Sequence, residues 1–367
     1  VPLDDNNWSR VVNTTIAKYF KGKEQEILRS RKWLALLNQK GRVFYNDSGK
    51  YMDWKVEYKR VPMIGWSGVE DITFAQHDRY KTCELDWRGY VAADAMTKFD
   101  RLKNAGPEAI INYWSEISEN LRMDMEDHFG DELYIDGNAA GNSKRLHGIE
   151  SFLGAGSNST DQPIAFPSDT YAGLSTALGN YGGEWQEDTA VSTWPTGSGD
   201  AHYDFFSPLL ISYTSAQWAA TGTTWADTCL EAMRYGLIHA GKNRNMNGQI
   251  DLTLLDRELY RIFCEKEAEK ERIVVNRGTA TTGLVALGFT DTVNFQGADV
   301  TYEYGVPSGI GYGMNINNME LRSMQSQLFV PDGPDYDMAK KNWRFSIDFA
   351  GNLKFRPRHF FKLAAYG

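Results

Sequence analysis

Glu184-Trp185-Gln186-Glu187-Asp188, with Trp194 close behind, is the segment of this chain best equipped for chemistry. Two acids can flank a glycosidic bond while tryptophan faces stack on sugar rings, so a secreted carbohydrate-active enzyme using Glu184 and Glu187 is one reading. The spacing argues against it. Glycosidase carboxyl groups stand about 5–9.5 Å apart across their substrate, and carboxylates crowded in one short run rarely make that pair. An acidic surface loop with buried tryptophans is the plainer reading.

The other candidate motifs each fail on a required residue. Asn243-x-Asn245-x-Asn247-Gly248 imitates a calcium loop, yet its first ligands are neutral amides and Leu254 stands where a bidentate glutamate is needed. None of the histidines at 77, 128, 147, 202, 239 and 359 lies three or four residues from another, and none has a cysteine two or three residues away. A zinc site would have to be gathered from distant segments. Gly309-x-Gly311-x-Gly313 is followed by Met314, not the third glycine of a dinucleotide fingerprint, and fits a strand turn. Neither a P-loop nor a nucleophile elbow occurs. The sequence therefore supplies no catalytic, cofactor-binding or metal-binding residues.

Composition narrows the classes further. The chain has 367 residues, 42% hydrophobic and 24% charged, enough to build a core. A net charge of −9 excludes a globally basic nucleic-acid binder. The charge is uneven: Leu146 to Met233 holds no Lys or Arg but ten acids, so this segment carries the whole acidic balance. Basic residues gather near the other end, at Lys340, Lys341, Arg344, Lys354, Arg356, Arg358 and Lys362. They suit a strand's solvent side, a partner for the acidic segment of a neighbouring copy, or a phosphate-contacting face. Cys83, Cys229 and Cys264 are few and far apart, which points away from a disulfide framework and towards a reducing cytoplasm. No run of 18 apolar residues is present. Val1 implies loss of an initiator or of a leader, and Val1-Pro2-Leu3-Asp4-Asp5 lacks the basic-then-apolar pattern of a signal peptide.

Periodicity gives the elements. Residues 8–38 read as an amphipathic arm of two helical stretches, broken at Lys21-Gly22-Lys23 and ended by Gly41. Trp54, Val56 and Tyr58 alternate with Lys55, Glu57 and Lys59 as a strand, and Cys83, Leu85 and Trp87 alternate likewise. Together they predict a long hairpin whose connection of about 20 residues far exceeds the usual ~4–6, so it reaches outside its own subunit. Pro107 opens a rod helix over 107–129, with Ile110, Trp114, Ile117, Leu121, Met125 and Phe129 on one stripe and Gly130 as its stop. Residues 136–222 read as short strands and loops, and 223–240 and 255–270 as helices. The run from Glu265 to Glu271 reads as a solvated helix end. Strands close the chain. Trp343, Phe345, Ile347 and Phe349 alternate up to Gly351-Asn352, which fits a two-residue hairpin turn.

This order of elements resembles the major capsid protein of tailed bacteriophages, the Hong Kong 97-type fold. Local strings carry the likeness: Cys83-Glu84-Leu85-Asp86-Trp87-Arg88-Gly89-Tyr90 running into Asn104-Ala105-Gly106 and the rod helix, then Leu146-His147-Gly148-Ile149-Glu150 and Tyr171-Ala172-Gly173-Leu174. Val306-Pro307-Ser308-Gly309 and Gly351-Asn352-Leu353-Lys354-Phe355 continue it. The resemblance implies an α+β fold with an N-terminal arm at 1–40, an extended hairpin (E-loop) at 41–95 and a P-domain at 96–222 with spine helix 107–129. An A-domain at 223–315 and closing strands at 316–367 that return to the P-domain complete it. The 156–222 stretch matches least and suggests an insertion. The implied role is non-enzymatic: copies self-assemble as hexamers and pentamers into an icosahedral virion head around double-stranded DNA, without sequence-specific binding or a membrane. Portal, scaffolding and decoration proteins are the implied further partners, and a host bacterial cytoplasm the place of assembly. Ile16, Tyr19 and Phe20 on the arm, with Trp54, Val56 and Tyr58 on the hairpin, are the expected inter-subunit contacts. An encapsulin-type shell around cargo enzyme is the nearest alternative.

Overall fold

A computed structural model describes residues 31–58, 65–72, 74, 76, 78–99, 107–157, 163–177, 205–218, 222–241, 248–270, 289 and 291–366. Helix α1 (Lys32–Gln39) opens it, with Trp33, Leu34, Leu36 and Leu37 all buried. The last two turns of the expected arm are thus built into the subunit's own core. Gly41, at φ +65°, ends the helix where a side chain would be strained. Strands β1 (Val43–Phe44), β2 (Met52–Glu57), β3 (Tyr80–Leu85) and β4 (Arg88–Thr97) follow. β2 and β3 form the expected antiparallel hairpin, with Met52 opposite Leu85 and Glu57 opposite Tyr80.

Helix α2 (Pro107–Glu132) has 26 residues, about 39 Å at 1.5 Å per residue. It buries Ile117, Leu121, Met125 and Phe129; the side chains of Ile110 and Trp114 lie outside the described residues. Gly130 does not stop it. A Cβ there would meet the Arg31 guanidinium at 2.3 Å, so this glycine makes room for a crossing side chain and the helix runs on to Glu132. Glu132 then locks the end: it accepts from Tyr90 Oη at 2.6 Å and pairs with Arg145.

The next stretch alternates short elements, as its glycine and serine content predicts. A 3₁₀ turn at Ile149–Phe152 precedes β5 (Ala155–Ser157), β6 (Ile164–Pro167), β7 (Thr170–Tyr171), β8 (Leu174–Ser175) and β9 (Leu209–Ser212). Ala172 and Gly173 both take positive φ between β7 and β8, the backbone of a type I′ hairpin. Helix α3 (Trp225–Ala240), strand β10 (Leu252–Leu255) and helix α4 (Arg257–Lys270) come next. Leu255 therefore closes a strand instead of opening a helix. In the charged run that ends α4, Glu267 is buried, so only part of it is the solvated face expected.

β11 (Val293–Phe295), β12 (Ala298–Tyr302), β13 (Gly311–Met314), β14 (Met319–Ser323), β15 (Val330–Asp337), β16 (Asn342–Phe355) and β17 (Phe361–Ala364) complete two principal sheets. One has β16 at its centre, paired with β4, β14 and β15, with β1 beyond β14. The other runs β11-β12-β10-β13-β17-β9-β6-β5. Its strands β9, β10, β13 and β17 are buried throughout, because α3 and α4 pack with Leu209, Ile211, Leu255 and Phe361 on one face, while Leu210, Leu254 and Tyr312 join the cluster of Phe152 and Phe355 on the other.

The Gly351-Asn352 hairpin is overturned. β16 runs straight through both residues, and Gly351 is there because a Cβ would meet the Arg322 carbonyl of β14 at 2.3 Å. Asn352 is buried, accepting from His147 N–H and donating to the Asp86 carbonyl at 2.8 Å. Gly311 and Gly313 sit in β13 for a similar reason: a Cβ on Gly313 would lie 1.9 Å from the Phe361 ring.

Candidate assembly surfaces

The hairpin β2–β3 changes character along its length. At its base Met52, Trp54, Cys83 and Leu85 face the core, with Trp54 at 6.1 Å from the Tyr171 ring and the Lys354 ammonium 5.4 Å from the indole. Burial pushes the Cys83 thiol up to about 12, so it is inert. Glu84 N–H donates to the Ala172 carbonyl and Trp87 Nε1 to the Gly49 carbonyl, at 3.1 and 3.0 Å. Further out, Val56 is half-buried, and Tyr58 donates to Asp78 at 2.9 Å beside an Arg79–Glu57 pair at 2.6 Å. Beyond them Trp66, Val69, Ile72 and Phe74 are 62%, 94%, 56% and 92% exposed. A short turn fixes Trp66, whose Nε1 donates to the Glu70 carbonyl while Ser67 donates to its carboxylate. Four large apolar groups thus stand in water within nine residues of one connection, an exposure that single-chain packing does not account for.

Of the expected contact residues, Trp54 is therefore committed to its own subunit, while Val56 and Tyr58 occupy the transition between base and distal end. Ile16, Tyr19 and Phe20 lie outside the described residues, as do Glu184, Glu187 and the Asn243 loop. The distal apolar residues were missed by alternation, which reads strands. Their signal is compositional: apolar residues in a connection where a turn would be polar.

A second surface is the outer face of the β16 sheet, an open depression of about 1000 Å³ over Ala93, Ala95, Gly333, Ser346 and Arg344. Asp94, Asp332, Asp335 and Asp337 rim it. Arg344 pairs with Asp337, whose carboxyl is held below its usual range by the Ala339 and Lys340 amides and that arginine.

The basic residues near the chain end do not form one face. Lys354 is buried against Glu320 at 3.0 Å, Arg358 lies 5.0 Å from the Phe205 ring, and Lys362 pairs with Glu150 at 2.7 Å. The partner of the acidic segment is thus intramolecular at this point: β17 returns beside the 3₁₀ turn, 212 residues away in sequence. Among the described residues, no cluster of His, Cys, Asp or Glu is arranged to hold a metal, and no helix is long and apolar enough to cross a membrane.

No family model matches the chain, and no curated protein matches it by sequence. Solved structures do match, over nearly the whole length. The capsid asymmetric unit of cyanophage A-1(L) superposes with TM-score 0.54 at 12% identity, covering 89% of this chain and 90% of that one. The capsid of a native GTA particle gives 0.51 at 10% identity, over 91% and 90%. The holo-SrpI encapsulin complex from Synechococcus elongatus PCC 7942 gives a looser 0.45 at 10%, over 90% and 87%. The fold of this chain is that of the first two capsid proteins.

Proposed function

We propose that the chain is the major capsid protein of a tailed-phage-type head, a structural protein whose copies associate as hexamers and pentamers into an icosahedral shell around double-stranded DNA. The observation that carries this is the match along about nine-tenths of the chain to two capsid proteins, joined to a hairpin connection that exposes four large apolar groups to water. On this reading residues 41–95 form the E-loop, 96–222 the P-domain with α2 as its spine, 223–315 the A-domain, and 316–367 the closing strands. The interfaces comprise Ile16, Tyr19 and Phe20 on the arm, and Val56 and Tyr58 with Trp66, Val69, Ile72 and Phe74 on the hairpin. Trp54 contributes by bracing the hairpin's base. The virion is the place of action and a bacterial cytoplasm the place of assembly.

Many weak contacts repeated over a closed shell give cooperative stability that no single interface needs to supply. Expression of the full chain followed by negative-stain imaging tests the proposal, the expected outcome being megadalton shells. A chain that stays monomeric at every concentration and salt would overturn it. Shells that carry protein cargo and no DNA would mark an enzyme container instead.

A further inference from the structure

Glu303 is one of the few carboxylates among the described residues with almost no contact with water, at 6% exposure, and it sits where three elements meet. It immediately follows β12. From the root of the N-terminal segment, Trp33 N–H reaches its Oε2 at 3.4 Å, and Arg31 and Lys32 bring two positive charges. Those two side chains bind the same strand: Lys32 Nζ donates to Thr301 Oγ1 and the Tyr302 carbonyl at 2.7 and 2.8 Å, and Arg31 to the Tyr304 carbonyl at 2.6 Å. Just past the end of α2, the Tyr134 hydroxyl faces the carboxyl, and the Asp131 charge acts on that hydroxyl. The Tyr134 ring lies between Trp33, at 5.6 Å, and Tyr312, at 5.9 Å. Asp291 acts on Lys32 from the segment before β11.

We propose that this knot is a proton-controlled latch for the root of the N-terminal segment: closed around a neutral Glu303 carboxyl, and opened by its ionisation. The physical reason is that a closed pocket excludes the water an anion needs, and Arg31 and Lys32 only partly replace it. Burial raises the carboxyl from 4.5 to about 7 despite both cations. The sign follows from linkage. The closed form holds the proton up to about 7, whereas an open, hydrated carboxyl releases it near 4.5, so rising pH favours opening. Between about pH 5 and about pH 8 the open population should grow by on the order of tenfold to a hundredfold. Because Arg31 and Lys32 tie the start of α1 to Thr301, Tyr302 and Tyr304, the latch governs how firmly the first turn of α1 is held. It holds whether or not the chain forms a shell.

Hydrogen exchange of the full chain, corrected for intrinsic rates, reads the latch through the α1 amides that start with Ala35, bonded to the Arg31 carbonyl. Protection of α1 should fall across that pH range while that of β16 stays constant. Glu303→Gln, a neutral isostere, should abolish the slope, and Lys32→Met should move its midpoint to higher pH by removing a charge that favours ionisation. A flat profile in the wild-type chain, an equal slope in Glu303→Gln, or an unmoved midpoint in Lys32→Met would overturn the proposal. The wild-type series decides even if a variant fails to fold.

Discussion

Gly313 shows how narrowly single positions are specified. Its missing Cβ is the space occupied by the Phe361 ring, with Gly236 of α3 shaped for the same ring at 2.8 Å. Gly313→Ala should destabilise the chain by about 2–3 kcal/mol through overpacking, read by urea unfolding. Glu150 is specified by charge: it accepts from Tyr312 Oη and pairs with Lys362, and neither partner of that pair is freely exposed. Lys362→Met alone should cost about 1–3 kcal/mol because it leaves a partly buried carboxylate without its cation, and adding Glu150→Gln should recover part of that loss in a double-mutant cycle. His147 adds an acid-side dependence. Burial, helped by the Arg88 charge, lowers it from 6.5 to about 4, so the folded chain refuses a proton that the unfolded chain accepts. Its contribution is complete above about 6.5 and is lost as pH falls towards 4, up to ~3 kcal/mol. Stability measured from pH 7 down to about 4.5 should decline less steeply in His147→Gln than in the wild type.

The hairpin separates two roles along one element. Trp54 holds its base against Tyr171, so Trp54→Ala should destabilise the isolated subunit by about 3–5 kcal/mol. Trp66, Val69 and Phe74 touch water, and changing all three to serine should leave subunit unfolding within about 0.5 kcal/mol of the parent. The same triple variant should lose assembly, seen as missing high-mass species in light scattering. Loss of subunit stability in the triple variant would move these residues from interface to core. Helix α2 is bound at its end by Glu132, Tyr90 and Arg145, and Gly130 lets Arg31 cross it, so α2 is tied both to β4 and to the residue that precedes α1.

Deletion of residues 1–30 removes Ile16, Tyr19 and Phe20 but spares Arg31, Lys32 and α1. It should therefore leave a folded subunit that fails to form normal particles by negative stain. Extending the deletion through Lys32 removes the ties to Thr301, Tyr302 and Tyr304 as well, and should also lower the unfolding midpoint. Normal shells from the shorter deletion would show that the arm has no part in assembly.

Local patterns were legible wherever one residue type and one period decide the outcome. The stripe of Ile117, Leu121, Met125 and Phe129 gave the rod helix, and the alternation from Trp343 to Phe349 gave the buried face of β16. Pairwise distance through space was not legible. Gly130 and Gly351 read as a helix stop and a turn, yet the Arg31 guanidinium lies over the first and the Arg322 backbone carbonyl lies too close to the second for a Cβ. Lys354, Arg358 and Lys362 read as a basic surface, yet tertiary folding brings each against a carboxylate or an aromatic ring inside the subunit. Trp54 read as a contact for a neighbour because alternation shows which face is apolar, not what covers it. Periodicity records the environment of one element at a time. Only the packed structure decides which element supplies that environment, since contacts between residues hundreds of positions apart leave no period in the chain.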